Sequence, residues 1–326
     1  MSERSITMVQ AVNEALDAAL ANDDSVFLLG EDIVDPAGGV MQVTQGLSTK
    51  YGLERVRETP ISEQAIVGAA IGAAIAGFRP VAEVMLFDFL AICLDQVVNH
   101  AAKLRYMSSG RTTVPLTIRC TATGGMQFGA QHSQMVEAWL MHTPGINVVV
   151  PSTPADAKDL LTACIFDDDP CVFVEPAALY STSGPVPEVE RVVPLGVADL
   201  KRPGDDVTVV TYGRQVHDCL AAAEQVAGDV SAEVIDLRTV SPWDADTVLD
   251  SVAKTKRCVV VHQAVERCGV GAEIATVVSE RRWGDLAAPV RRVAARNTPV
   301  PYAAELESAH LPSVDDIAGA LLATVA

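Results

Sequence analysis

Residues 59–85, TPISEQAIVGAAIGAAIAGFRPVAEVM, decide the fold. The apolar run from Ala65 to Phe78 has 14 residues and three glycines. It is too short to span a bilayer and too apolar to face water on any side, so it reads as a buried helix starting near Ser62. Val81 to Met85 follow as a short β-rich run. A buried helix passed directly to a buried strand is part of a βα rhythm, and the rest of the chain repeats it.

Upstream, Thr7 with Gln10 forms a capping-box pattern that opens a helix carrying Val9, Val12, Leu16 and Leu20 at helical spacing, followed by a strand Val26 to Leu29. Downstream the reading gives a helix from Phe89 to Arg105, a strand Leu116 to Cys120 and a loop with Gly124, Gly125 and Gly129. A helical stretch around Met135, a strand Val148 to Val150, a helix opened by Thr153-Pro154 and a strand Val172 to Glu175 complete the first half. These strands are apolar throughout rather than alternating, as parallel strands covered on both faces are. Residues 186–205, rich in proline and glycine, are the expected linker between a first α/β domain, 1–185, and a second, 206–326. The second has predicted strands at Val207 to Thr211, Glu233 to Ile235, Cys258 to Val261 and Val290 to Val293. Its helices fall near Val216 to Val226, Ala245 to Ala253 and Ala272 to Arg281, with a last one from Val314. The fold class is α/β, in two domains.

Composition narrows the function. The 326 residues carry 24 Lys+Arg against 42 Asp+Glu, a formal charge of −18, which disfavours nucleic acid and anionic membrane surfaces as partners. No apolar stretch suits a membrane span, and the first residues lack the basic-then-apolar pattern of a secretory leader, so the expected location is cytoplasmic. Seven cysteines without a CxxC pair argue against a disulfide framework and a zinc ribbon. Neither GxGxxG between strand and helix, nor GxxxxGK[ST], nor HExxH occurs, which disfavours a self-contained dehydrogenase, a P-loop kinase and a zincin.

Three places carry chemistry. Glu63 stands in the first turn of the apolar helix. There it either complements the helix dipole or, at a semi-buried edge with a raised pKa, shares a proton with a ligand nitrogen. His132, in Gln131-His-Ser-Gln134 after the glycine loop, is either a satisfied loop histidine or a general acid/base at the carboxyl end of the sheet. Asp167-Asp168-Asp169 oppose the dipole at a helix C-terminus, which leaves them either solvated or compensated by a cation.

Taken together, Thr59-Pro-Ile-Ser-Glu63, Gly77-Phe-Arg-Pro80, Asn99-His-Ala-Ala-Lys103, Gln131-His-Ser-Gln134, His142-Thr-Pro-Gly145, Asp167-Asp-Asp-Pro170 and Val234-Ile-Asp-Leu-Arg-Thr239 resemble a known family. It is the β subunit of the thiamine-diphosphate-dependent decarboxylating component of 2-oxo acid dehydrogenase complexes. The similarity runs from about residue 5 to residue 320 and is strongest to the acetoin and pyruvate types. The resemblance implies a pyrimidine-binding domain followed by a transketolase C-terminal-like domain. It implies an α2β2 heterotetramer with a β–β contact, magnesium and the cofactor diphosphate held by the α subunit, and a lipoyl acyltransferase as the next component. The same resemblance makes Glu63 the carboxyl that bonds the pyrimidine nitrogen, Met85 and Phe89 the apolar wall beside that ring, and His132 a group near the reacting carbon. It also makes Cys164, Asp167 and Asp169 a potassium-binding turn. The diphosphate signature Gly-Asp-Gly followed by Asn-Asn is absent, as in other β subunits. Gln263, Cys268 and the 121–129 loop depart from the family pattern and leave the substrate open. A transketolase-like carboligase subunit and a non-catalytic interaction subunit are the alternatives.

Overall fold

Thr7 does what its spacing predicts. In the computed structural model its hydroxyl accepts from the Gln10 amide at 3.3 Å while Gln10 Oε1 accepts from the Thr7 amide at 2.9 Å, closing the first turn of α1 (Met8–Asn22) after β1 (Arg4–Thr7). The described residues are 4–187, 191 and 193–326. Part of the expected linker, 188–190 and 192, lies outside them. By contacts the chain divides into unit 1, drawn from Met1–Ala122 and Trp139–Leu195, and unit 2, drawn from Thr123–Ala138 and Gly196–Ala326.

In unit 1, β2 (Val26–Gly30), α2 (Leu47–Tyr51), β3 (Val56–Glu58), α3 (Glu63–Ile75) and β4 (Arg79–Leu86) lead to β5 (Thr117–Ala122). Between them Phe87–Cys93 form a 3₁₀ helix, Gln96–Ala101 a π-helix turn and Ala102–Met107 the short α4. After the short α5 (Glu137–Met141) come β6 (Asn147–Val149), α6 (Pro154–Phe166), β7 (Cys171–Pro176) and β8 (Ser183–Val186). The main sheet is parallel in the order β6-β7-β5-β4-β2-β3, and every residue of β2, β5 and β7 is buried. That accounts for the non-alternating strands. β1 and β8 pair antiparallel apart from this sheet.

The segment predicted as one helix over Phe89 to Arg105 differs. Phe87, Leu90 and Cys93, all buried, recur every third residue, and a 3₁₀ helix stacks positions i and i+3 on one side where an α-helix would fan them out.

In unit 2, β9 (Asp199–Arg202), β10 (Val207–Thr211), α7 (Gln215–Gln225), β11 (Ala232–Asp236), the short β12 (Thr239–Ser241), α8 (Ala245–Thr255), β13 (Cys258–Val265), α9 (Val270–Arg282), β14 (Arg291–Ala295), α10 (Ala304–His310) and α11 (Val314–Val325) follow in order. The sheet runs β14-β13-β10-β11-β9, with only β9 antiparallel. β9 is Asp-Leu-Lys-Arg, a charged edge strand whose pattern hides it among linker residues. Among the described residues no helix is long and apolar enough to cross a membrane. Six of the seven cysteines are buried free thiols, with Cys268 exposed.

Candidate active site

Parallel α/β sheets gather function at the carboxyl ends of their strands, and unit 1 places four residues there. Glu63 begins α3 and is 5% exposed. The preceding Ser62 makes no side-chain cap, so the carboxylate at the first turn is the anionic group facing the positive end of the helix. Glu31 follows β2 directly. Burial raises its pKa, the negative charge of Glu63 raises it further, and a bond from the Ser62 amide opposes both. Its Oε1 is buried with no hydrogen-bond partner among the described residues. Met85 near the end of β4 and Phe89 just beyond it are half-buried between buried neighbours, and α3 packs on both of these segments. The head of α3 thus carries one of two interacting carboxyl groups, and the helix packs on the segments that hold the partly open apolar side chains.

That edge rests on a buried ion network. Arg119 of β5 donates from Nη1 to Glu83 Oε2 at 2.6 Å, and from Nε and Nη2 to Glu175 at 2.6 and 2.9 Å. Tyr180 adds its hydroxyl to Glu175 Oε2 at 2.6 Å. With two carboxylates against one guanidinium, burial pushes Glu83 up in spite of the pull of Arg119.

Unit 2 presents His132 within residues 123–138, a loop that ends at the start of α5. These residues lie within the range expected for the first domain, yet by contacts they group with unit 2. Buried Glu307 of α10 accepts the amides of Gly125 and Gln127, both at 2.8 Å. Glu137 accepts the Tyr212 hydroxyl at 2.5 Å. His132 itself is half-buried. Its amide donates to Gly129 O at 3.3 Å, and its carbonyl accepts from the Thr123 hydroxyl. Gly125 has φ +88°, and a Cβ there would lie 1.9 Å from Arg214 Nη1.

Residues 4–182 match the family model for the transketolase pyrimidine binding domain, and residues 196–317 match the transketolase C-terminal domain. The chain is 46% identical over 332 residues to the acetoin:2,6-dichlorophenolindophenol oxidoreductase subunit beta of Cupriavidus necator, covering 99% of this chain and 98% of that one. It is 45% identical to the pyruvate dehydrogenase E1 component subunit beta of Bacillus subtilis, covering 96% of each. The chain belongs to the β-subunit family of thiamine-diphosphate-dependent 2-oxo acid and acetoin dehydrogenases. Among solved structures, a split-gene transketolase described as an inactive beta4 tetramer aligns with TM-score 0.79 at 22% identity, over 98% of this chain and 99% of that one, which shows the shared fold.

As a member of that family the protein is an oxidoreductase β subunit that depends on thiamine diphosphate and works with an α partner. The unit 1 edge fits the aminopyrimidine end of the cofactor. A flat ring with a basic nitrogen needs a carboxyl partner and an apolar face, and Glu63 with Met85 and Phe89 offers both.

Two places complete the account of this β subunit. Glu31 escaped the sequence reading because Gly30-Glu31-Asp32 looks like a polar loop. The available signal was its position at the carboxyl end of a fully apolar strand. The turn of Cys164, Asp167 and Asp169 lies at the opposite, amino edge of the sheet, just before β7. There Arg79 donates from Nη1 to Ile165 O at 3.3 Å and Asp167 O at 2.9 Å, and from Nη2 to Asp168 Oδ1 at 2.8 Å. Arg105 pairs with Asp169 at 2.7 Å. The chain's own arginines therefore face the oxygens of this turn, and burial raises the Cys164 thiol well above its ordinary range.

Proposed function

We propose that this chain is the β half of an α2β2 dehydrogenase acting on acetoin or a small 2-oxo acid such as pyruvate, and that the acyl group it produces passes to a lipoyl acyltransferase. The observation that carries this reading is the buried Glu63 at the head of α3, a helix that packs on the segments carrying the half-buried Met85 and Phe89. The near-full-length likeness to acetoin and pyruvate dehydrogenase β subunits supports the substrate class.

When bound, thiamine diphosphate supplies the carbon nucleophile that adds to the substrate carbonyl. Glu63 binds the ring nitrogen of the aminopyrimidine and holds a proton at that atom, which makes the neighbouring amino group basic enough to accept one. Met85 and Phe89 bind the ring face and exclude water. His132 stabilises charge developing on the acyl oxygen and assists transfer to the lipoyl sulfur. Magnesium and the diphosphate are assigned to the α subunit, because this sequence lacks the glycine and asparagine motif that would hold them.

Glu63→Gln tests the reading. An amide cannot share the proton, so the variant should fold and assemble while losing most turnover. Exchange of the reactive cofactor proton in the reconstituted tetramer should slow in step. Exchange at the wild-type rate would overturn the assignment.

A further inference from the structure

The loop that carries His132 is tied at Gly125 and Gln127 and again at His132 itself. Glu307 is 2% exposed and spends both carboxylate oxygens on it, Oε1 accepting Gly125 N and Oε2 accepting Gln127 N at 2.8 Å each. From there a short path leads to His132, whose amide is bonded to Gly129 O at 3.3 Å. The Thr123 hydroxyl fastens the His132 carbonyl from the other side.

Two further features make this tie specific. Gly125 takes φ +88°, a left-handed conformation that a side chain would strain, and the tip of Arg214 lies where its Cβ would stand, so this turn of the loop favours glycine. Beside the loop lies a cavity of about 280 Å³ whose lining includes Gly125, Gln127, Arg214, Asp218 and Glu307. A loop released from Glu307 has space to move into. A charged acceptor bonded to two backbone donors is strong and geometrically restrictive, which suits it to hold one loop shape.

We propose that Glu307 is a positioning residue for acyl transfer, fixing the 124–129 turn so that His132 is presented in its working place. The proposal rests on the assignment of His132 to that step. It concerns the step proposed for His132, not the one proposed for Glu63.

The test uses the assembled enzyme with its α partner. Glu307→Gln keeps the shape of the side chain but turns an amide nitrogen toward a backbone N–H. Acyl transfer to lipoamide should slow about 10- to 100-fold, the scale of a misplaced catalytic group, while exchange of the cofactor proton stays at the wild-type rate. Deuterium uptake by the peptide spanning 124–129 should quicken. Gly125→Ala should reproduce both effects with Glu307 intact. Glu307→Asp, which keeps the charge on a shorter stem, should recover part of the rate and serves as the second variant if the glutamine form fails to assemble. In a His132→Ala background, Glu307→Gln should add less than about twofold, because two residues acting through one group are not additive. Independent, multiplicative losses would overturn the proposal, as would unchanged uptake at 124–129. Unchanged transfer in His132→Ala alone would overturn the role of His132 and the proposal with it. Quickened uptake in Glu307→Gln would then show that the tie exists and that the assignment of the histidine was at fault.

Discussion

Arg119 grips Glu175 through two parallel bonds between the neighbouring strands β5 and β7, with the two side chains 3% and 1% exposed. Such a pair gains little over an apolar filling, but breaking it leaves a buried charge alone. Arg119→Met leaves Glu83 and Glu175 without their counter-charge, Glu175 keeping only the Tyr180 hydroxyl. The expected loss is about 3–5 kcal/mol of unfolding free energy, read from denaturant midpoints. Adding Glu175→Gln to Arg119→Met should return part of it, since the partners are coupled. A loss under about 1 kcal/mol, the scale of an exposed pair, would show that the network is hydrated in solution.

His262 provides a pH signature for unit 2. It donates from Nδ1 to Ala264 O at 3.1 Å and lies over Tyr212 with ring centroids 6.4 Å apart. Burial depresses its pKa from 6.5 to about 4, with the Ala264 bond opposing and Arg292 adding to the effect. The folded state thus refuses a proton that the unfolded chain accepts below pH 6.5. The associated stability is complete above that pH and is lost as pH falls toward 4, amounting to about 3 kcal/mol. His262→Asn, which keeps a donor for Ala264, should flatten that window by one proton. An unchanged slope between pH 6.5 and 4 would place the titration elsewhere.

Glu137 works in the opposite sense. Its carboxyl is buried, burial raises its pKa, and the Tyr212 bond only partly restores the charged form. Its contribution is fully present below the ordinary glutamate pKa and is lost as pH rises through the folded value. Glu137→Gln retains an acceptor for Tyr212 without ionising. Its melting temperature should exceed that of the wild type at pH 7.5 and match it near pH 4. A variant less stable at both values would show that the carboxylate is held charged.

What the sequence displayed, and what it hid, follows from where charges sit. Buried parallel strands such as Cys171–Pro176 announce themselves because both faces are apolar. The helix starts at Thr7 and Thr153 are legible because each cap is a local bond, Thr153 accepting from the Asp156 amide. Edge strands such as Val56–Glu58 and Asp199–Arg202 carry exposed charge and read as loops. Glu63 could be singled out because it heads an otherwise apolar helix, although an acid there also suits the helix dipole and α3 is not buried on every side as expected, Ala65, Ala69 and Ile75 being exposed. Arg119 and Glu175 carried the same signal, a charge inside an apolar strand run that requires a partner, but finding the partner needs the strand order. Glu307 could not be read at all, because a glutamate in a polar stretch is ordinary until the fold brings it to the loop 180 residues away in the chain. Which positive side chains stand beside Asp167 and Asp169 likewise needs tertiary structure, which brings Arg79 and Arg105 to that turn.

The last prediction concerns the chain without its α partner. The cofactor carries most of its charge on the diphosphate, and a protein of formal charge −18 must neutralise that locally to bind it. In the proposed arrangement Glu63, Met85 and Phe89 serve the other end of the molecule, where an apolar ring face and one nitrogen contact would give modest affinity. Purified β subunit should therefore show no stoichiometric binding when titrated calorimetrically with magnesium and thiamine diphosphate at micromolar concentrations. Addition of a cognate α subunit should restore tight binding and substrate decarboxylation together, because in the proposed arrangement each subunit holds one end of the same cofactor. If the β subunit alone bound stoichiometrically at micromolar concentration, the diphosphate site would have to lie within this chain, and a self-contained carboligase would become the better reading.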